Sequence, residues 1–306
     1  MSAVTVVMAN YNGDRHIAVA VRSVLAQTLA DLELIVVDDA STDSSLDVLA
    51  VAAADDPRVV VIRQPANAGP GAARNRALER ARGRWIAIVD SDDELEPDRL
   101  AAMVARAESD GADVVCDDLL VFSDEAAYAP HHFLPQPAAP RWISLADYIE
   151  AGVIYGAGPD LGFLKPLMSA EALAGLRYAE DLRIGEDYDL VVRLLAAGAR
   201  LRLEPRALYR YRKHSGSISH RLSPEHLTDM LAAQARFRRE AGELDAATQR
   251  ALERRRRSLE AARVYEQVVA GVKSGAVASS LARGLAHPRA WPLLAIPLRN
   301  RLRAPA

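Results

Sequence analysis

Along the first 120 positions, short apolar runs alternate with stretches in which apolar residues recur at helical spacing. Val4, Val6, Val7 and Met8 make an apolar strand over 4–8, and Ile17, Val21, Val24 and Leu25 then fall on one face of a helix. A second strand over 33–37 closes on Asp38 and Asp39, and Ser41, Thr42 and Asp43 offer caps for a helix running to about 54. The unit repeats with a strand over 59–62 and a helix opened by Gly69-Pro70-Gly71 and running to about 82. The next strand, 85–89, ends in Asp90-Ser91-Asp92-Asp93; Pro97 heads another helix, and a fifth strand lies within 113–122. This rhythm predicts an α/β fold built on a mostly parallel sheet flanked by helices on both faces.

The pattern then changes. Residues 123–141 dissolve into Pro, His and Ala, which predicts a long loop of the kind that often borders a site. Helices are predicted over 144–151 and 186–197, the second stopped by Gly198, with a strand over 207–212. Residues 223–286 are rich in Arg, Glu and Ala at helical spacing, so a helical C-terminal subdomain is expected, dividing the chain into 1–220 and 221–306.

Composition narrows the function classes. With 306 residues, half of them hydrophobic and about a quarter charged, the chain reads as a soluble globular protein. Its one cysteine, Cys116, allows neither an internal disulfide nor a Cys-based zinc site, and no H-E-x-x-H pair is present. The apolar stretch at 3–9 runs straight into Asn10-Tyr11-Asn12 and reads as a strand rather than a signal peptide. The run 291–298 is too short to span a bilayer and holds two prolines. The net charge of -3 hides an asymmetry: residues 1–220 carry 22 basic against 33 acidic side chains, and 221–306 carry 16 against 8. An acidic front and a basic tail suit different partners.

In an open α/β sheet, ligands bind beyond the carboxyl ends of the strands, and carboxylates gather there in this sequence. Asp38 and Asp39, then Asp90, Asp92 and Asp93, then Glu186 and Asp187 form three acidic clusters. Each can be a helix cap; brought together, they would repel unless a divalent cation or hydrogen-bond donors sat among them. The segment Gly69-Pro70-Gly71-Ala72-Ala73-Arg74 departs from the dinucleotide fingerprint at its sixth position and does not follow the first strand. It reads either as a simple helix start or as a turn whose N–H groups, with Arg74, face an anionic ligand. No P-loop and no nucleophile elbow occurs.

Taken in order, these segments resemble a known family. Val-Val-Met-Ala-Asn-Tyr-Asn at 6–12, Ser23-Val24-Leu25-Ala26-Gln27-Thr28, residues 33–43, 69–75 and 89–93, and Gly185-Glu186-Asp187 look like the family 2 glycosyltransferases, enzymes of GT-A fold. The resemblance covers roughly 4–220. Ala9 departs from it, standing where the family usually has proline, which touches only a strand-end turn.

The resemblance implies an inverting transfer of a sugar from a nucleotide donor, a UDP-sugar, to a hydroxyl of a glycan or lipid-linked saccharide in bacterial surface-polysaccharide assembly. It implies donor contacts from Tyr11, Asn12, Asp38 and Asp39, with Asp39 accepting the uracil N–H and Tyr11 offering its ring. Arg74, Asn75, Asp90 and Arg212 are further donor-site candidates. Asp90-x-Asp92 matches the D-x-D motif, so Asp90, Asp92, neighbouring Asp93 and His214 are candidate ligands for Mn²⁺ or Mg²⁺. Glu186-Asp187 matches the E-D pair, whose Asp is the general base. Lys165 is a candidate phosphate or acceptor contact, and His131, His132 and Trp142 belong either to an acceptor-side loop or to a surface loop. The alternatives are a sugar nucleotidyltransferase and a non-catalytic nucleotide-sugar or glycan binder. In the tail, Arg254 to Arg257, Arg289, Arg299, Arg301 and Arg303 accompany Trp291, Leu293, Leu294, Ile296 and Leu298. That mixture reads either as an interfacial anchor that rests a cytoplasmic protein on an anionic membrane surface or as a solvated helical hairpin with an ordinary docking end, since Pro292 and Pro297 break any long amphipathic helix; lacking a reader motif, it does not predict nucleic-acid binding.

Overall fold

The computed structural model describes residues 2–53, 56–125, 128–136, 138–156, 158–214 and 222–294. They form two compact units, one of residues within 1–144 and 161–214, the other of residues within 145–160 and 222–294. Helix 145–151 thus packs with the C-terminal helices although it precedes the last sheet strands in sequence.

The first unit begins with β1 (Val4–Asn10), α1 (Ile17–Leu25), β2 (Leu32–Asp38), α2 (Ser45–Ala53), β3 (Val59–Arg63), α3 (Pro70–Leu78) and β4 (Trp85–Ile88). Then come β5 (Glu94–Leu95), α4 (Arg99–Asp110), β6 (Val114–Phe122), β7 (His131–His132) and β8 (Arg141–Ile143). After α5 (Leu145–Ala151) of the second unit, the chain returns with β9 (Leu167–Ser169), α6 (Glu186–Ala196) and β10 (Leu201–Arg212). The ten strands form one sheet in the order β3-β2-β1-β4-β9-β6-β10-β5, with β7 on β6 and β8 on β10. The long pairings, β1 with β2 and β4, β2 with β3, and β6 with β10, are parallel; β9 and the two- and three-residue strands run antiparallel.

β1 is covered on both faces, with Val4, Val6, Val7 and Met8 fully buried, which is why its apolar run is nearly continuous instead of alternating. Beside it, a Cβ on Gly83 would stand 2.3 Å from the Thr5 backbone nitrogen, so only glycine lets the end of the α3 turn approach this strand. Thr5 accepts the Gly83 N–H at 2.8 Å and donates to Glu33 at 2.6 Å, stitching β1 to β2.

Several expectations are corrected. The predicted loop over 123–141 contains β7 and the first residue of β8, both paired into the sheet. The buried Asp118 carboxylate explains part of this order: it accepts from the Leu119 and Leu134 N–H groups and from Gln136, and bonds His132 Nδ1 at 2.7 Å. Trp142 pairs with Arg202 near the start of β10, about 30 Å along that strand from Arg212, under the guanidinium groups of Arg200 and Arg202. β10 begins six residues before the predicted 207; Pro205, which hides it in the sequence, sits at a register shift between Glu204 and Ala207.

In the second unit, α5 packs on α8, and α7 (Pro224–Glu240), α8 (Ala246–Lys273), α9 (Val277–Ala286) and α10 (Trp291–Leu294) follow in sequence. Ser223 caps α7 and Asp245 caps α8, each accepting a backbone N–H three residues on. Three arginines of the run 254–257 meet carboxylates within the unit, Arg254 with Glu150, Arg256 with Glu253 and Glu260, and Arg257 with Glu253, while buried Arg255 bonds the Gly152 carbonyl and Gln234. Among the described residues no helix is long and apolar enough to cross a membrane. Ile296, Leu298, Arg299, Arg301 and Arg303 lie outside the described residues, as do Ser215, Gly216 and Ser217.

Candidate active site

The carboxyl ends of β1, β2 and β4, the turn into α3 and the first turn of α6 bring the three acidic clusters to one end of the sheet. Two buried cations hold the second and third of these together. Arg74, in the second turn of α3, reaches Glu186 at 2.5 Å, Asp90 at 2.8 Å and Asp187 at 3.4 Å. Lys165, just before β9, reaches Asp90 at 2.7 Å and Asp187 at 3.1 Å. Two positive charges therefore stand between three carboxylates contributed by positions 90, 186 and 187, which is how the predicted mutual repulsion is removed.

The protonation states follow. Burial alone would raise the Asp90 carboxyl, but Lys165 and Arg74 outweigh it and hold it at about 2. Burial would lower the Lys165 ammonium, yet Asp90 and Asp187 keep it well above the usual lysine range. Glu186 is raised by burial, against Arg74 and with help from Asp187. Asp187 is held through Oδ2 by Lys165, while its buried Oδ1 has no hydrogen-bond partner among the described residues. The buried Tyr178 hydroxyl is also without one.

Asp90, Asp92 and Asp93 present carboxylate oxygens that all lie within 4.8 Å of one another. Their partners differ. Asp90 gives both oxygens to Lys165 and Arg74. Asp93 accepts the Tyr209 hydroxyl at 2.7 Å and the Arg212 N–H at 2.7 Å, and burial, with Asp92 and Asp90 nearby, pushes it well above the carboxylate range. Asp92 is the outermost of the three and bonds His214 Nε2 at 2.9 Å, a contact that raises His214. Hard oxygens with one imidazole suit Mg²⁺ or Mn²⁺, and Asp92 with His214 are the ligands that can turn to a cation without breaking a buried ion pair.

The remaining candidates separate into two groups. Asp39 and Tyr11 stay at the site: Tyr11 is half exposed, and Asp39 is fixed by the Ala68 and Gly69 N–H groups and by Gln64. Of the two readings left open for the Gly69 turn, the structure shows its N–H groups facing an anion that is the protein's own Asp39. Exposed Asn12, at φ 52°, accepts the Thr42 N–H. Asp38 is fully buried and spends its oxygens on Asn10 and Ser41, bracing the β1 and β2 ends. Asn75 spends its amide on Tyr178 and Glu180, docking that loop against α3. The Arg212 guanidinium is taken up by Glu94, Asp124 and the Asp92 carbonyl. Asp38, Asn75 and Arg212, like Asp39, have their polar groups engaged by other residues of the first unit.

Sequence reasoning missed the layer behind the carboxylates. The Tyr209 hydroxyl accepts the Asp90 N–H while donating to Asp93. Its ring lies 4.8 Å from the Arg99 guanidinium. Arg99 is fully buried, forks onto Asp117 at 2.9 and 3.0 Å and donates to the Lys165 carbonyl at 2.6 Å. Tyr209 sits in a run of apolar and basic residues that reads only as strand, so no local signal marks it.

A mixed sheet with acidic clusters at one end is the arrangement of the GT-A glycosyltransferases, and solved structures of that fold superpose on the chain. TarS 1-349 of S. aureus in complex with UDP-GlcNAc gives a TM-score of 0.65 at 22% identity, covering 82% of this chain and 70% of that one. The mannosyltransferase PcManGT from Pyrobaculum calidifontis in complex with GDP-Man and Mn²⁺ gives 0.62 at 19%, covering 99% and 81%. The model of the family described as Glycosyl transferase family 2 matches residues 5–165. The succinoglycan biosynthesis protein ExoO of Rhizobium meliloti (strain 1021) is 39% identical over 302 residues, 98% of this chain and 86% of that protein. The chain belongs to glycosyl transferase family 2.

Proposed function

We propose that the chain is an inverting glycosyltransferase that moves a sugar from a UDP-linked donor to a hydroxyl of a glycan or lipid-linked saccharide in bacterial surface-polysaccharide assembly, with Asp187 as general base. The observation that carries this reading is the state of Asp187, one oxygen pinned by Lys165 and the other 3.4 Å from the Arg74 guanidinium, buried and without a hydrogen bond. An acceptor hydroxyl donating to that oxygen would supply the hydrogen bond it lacks, on the scale of about 1.5–3 kcal/mol for a charged acceptor. As the new C–O bond forms, that hydroxyl's proton passes to Asp187. Glu186 is a positioning residue in this account: by anchoring Arg74 it fixes the cation that faces Asp187.

Asp39 and Tyr11 would take the uracil, and Asp92 with His214 would hold Mn²⁺ or Mg²⁺, as the Mn²⁺ named with PcManGT supports. Bound there, the cation would act as a Lewis acid toward the departing diphosphate. Polysaccharide assembly is supported by the likeness to the succinoglycan protein. The expectation of a cytoplasmic protein at an anionic membrane attaches to the second unit and not to these carboxylates.

The test is Asp187→Asn, which keeps shape but loses basicity. Transfer should fall by about two to four orders of magnitude while UDP-sugar affinity, read by calorimetry, stays near the parent value. Near-normal turnover by a folded variant refutes the base assignment, and full parent activity in EDTA refutes the metal.

A further inference from the structure

The second unit carries an apolar face that nothing in the described structure covers. At about 100° per residue, Val277, Ala278, Ala282 and Leu285 fall on one side of α9, and all four are exposed. Val277, at the edge of the stripe, is 46% and Leu285 70% accessible, whereas Ser280 and Gly284, which lie beyond that edge and away from Leu285, are buried. Trp291, 51% accessible, extends the patch, and its indole N–H is already satisfied by the Gly284 carbonyl, leaving ring surface to be covered.

Charge identifies the occupant. Beyond Glu266 the sequence carries six Lys or Arg and no Asp or Glu. Of these, Lys273 and Arg289 precede and follow α9 in sequence, and Arg283 lies on the polar side of α9 opposite the apolar stripe, bonded only to the neutral Gln267 among its described hydrogen bonds. This contrasts with Arg254, Arg256 and Arg257, whose charges are met by Glu150, Glu253 and Glu260. A helix with an exposed apolar stripe on one side and an arginine that meets no carboxylate among its described hydrogen bonds on the other, in a segment with no acidic residue, matches a bilayer interface, apolar below and anionic at the headgroups.

We propose that the α9 face, with Trp291, docks on an anionic lipid surface, and that the arginine run of α8 takes no part in it. The inference is independent of the base and metal assignments, because it uses no residue of the first unit.

The experiment is sedimentation of the full chain with phosphatidylcholine vesicles and with vesicles enriched in phosphatidylglycerol. Binding is expected to the anionic vesicles only and should fall as salt rises. Leu285→Asp should lower it about tenfold or more, since an exposed apolar contact becomes a charge facing anionic lipid. Arg283→Glu with Arg289→Glu should remove most of the salt-sensitive part, and Arg256→Gln should change nothing. Circular dichroism and donor turnover, unchanged in Leu285→Asp, separate lost docking from misfolding. Parent-like vesicle binding by folded Leu285→Asp overturns the proposal, as does failure of the full chain to bind anionic vesicles at low salt. A dimer in solution that Leu285→Asp dissociates, without vesicle binding by the parent, overturns it too and assigns the face to a second copy.

Discussion

The molecule uses charge in two opposite ways. At the carboxyl end of the sheet, Arg74 and Lys165 meet partners 16 to 112 positions away, and the groups are largely out of water. On α8, Arg256 and Arg257 meet Glu253 and Glu260 three or four positions away on the same helix, in solvent. The distances overlap, 2.5 to 3.4 Å at the site and 2.5 to 2.8 Å on α8. What differs is the medium and what must fold before the pair exists. A buried charge that loses its partner is stranded, whereas an exposed one is rehydrated.

The first way to break this contrast is at the fully buried pair behind the site. Arg99→Met leaves the Asp117 carboxylate and the Lys165 carbonyl without their donor. Loss of about 3–5 kcal/mol in urea unfolding is expected. The double variant Arg99→Met/Asp117→Leu should recover much of it, because no charge is then left unpaired. A single variant as stable as the parent would mean that water reaches Asp117.

A smaller change probes the same layer without stranding a charge. Tyr209→Phe keeps the ring on Arg99 but removes the hydroxyl shared by Asp93 and the Asp90 N–H. Because Tyr209 anchors Asp90 and Asp93, the residues on either side of the turn that carries Asp92, affinity for Mn²⁺, read by electron paramagnetic resonance on the free protein, should fall about 10- to 100-fold, as when other supports of metal ligands are lost. A purely structural tyrosine would instead lower Tm and leave Mn²⁺ affinity alone.

The same contrast explains what could be read from the chain. The βα rhythm of the first 122 residues and the helices after 223 were legible because periodicity is local. The acidic clusters were legible too, since a strand ending in Asp90-Ser91-Asp92-Asp93 declares itself. Their order was not. That Asp38 turns inward while Asp39 faces the Gly69 turn depends on which way one residue points at a strand end, and both read alike in sequence. Lys165 precedes a three-residue strand that no periodicity window resolves, and Tyr209 shares a strand with a proline that conceals its start. Long-range pairing gave these residues their meaning, and it leaves no local trace.

Base recognition lies lower in expected effect. Asp39→Ala should weaken UDP by about 10-fold, the scale of one hydrogen bond to a charged group, without moving the Mn²⁺ dependence of turnover. Calorimetry of UDP and GDP against the parent and the variant checks it. If the variant loses both nucleotides equally, Asp39 acts through the Gly69 turn it anchors and not through uracil.

The smallest effect belongs to the other side of the comparison. Glu253 accepts from both Arg256 and Arg257, and these bonds hold its carboxyl down at about 2. Such geometry looks as favourable as that around Asp90, yet the group stands in water, where solvation replaces most of what the arginines supply. Glu253→Gln should therefore leave Tm unresolved from the parent at moderate salt and shift it only slightly at low salt, where screening is weakest. Because a depressed carboxyl stabilises only while ionised, that slight difference should be present above the ordinary glutamate pKa and vanish as pH falls toward 2. A large, salt-independent loss would place Glu253 among the buried charges and erase the distinction drawn between the two regions.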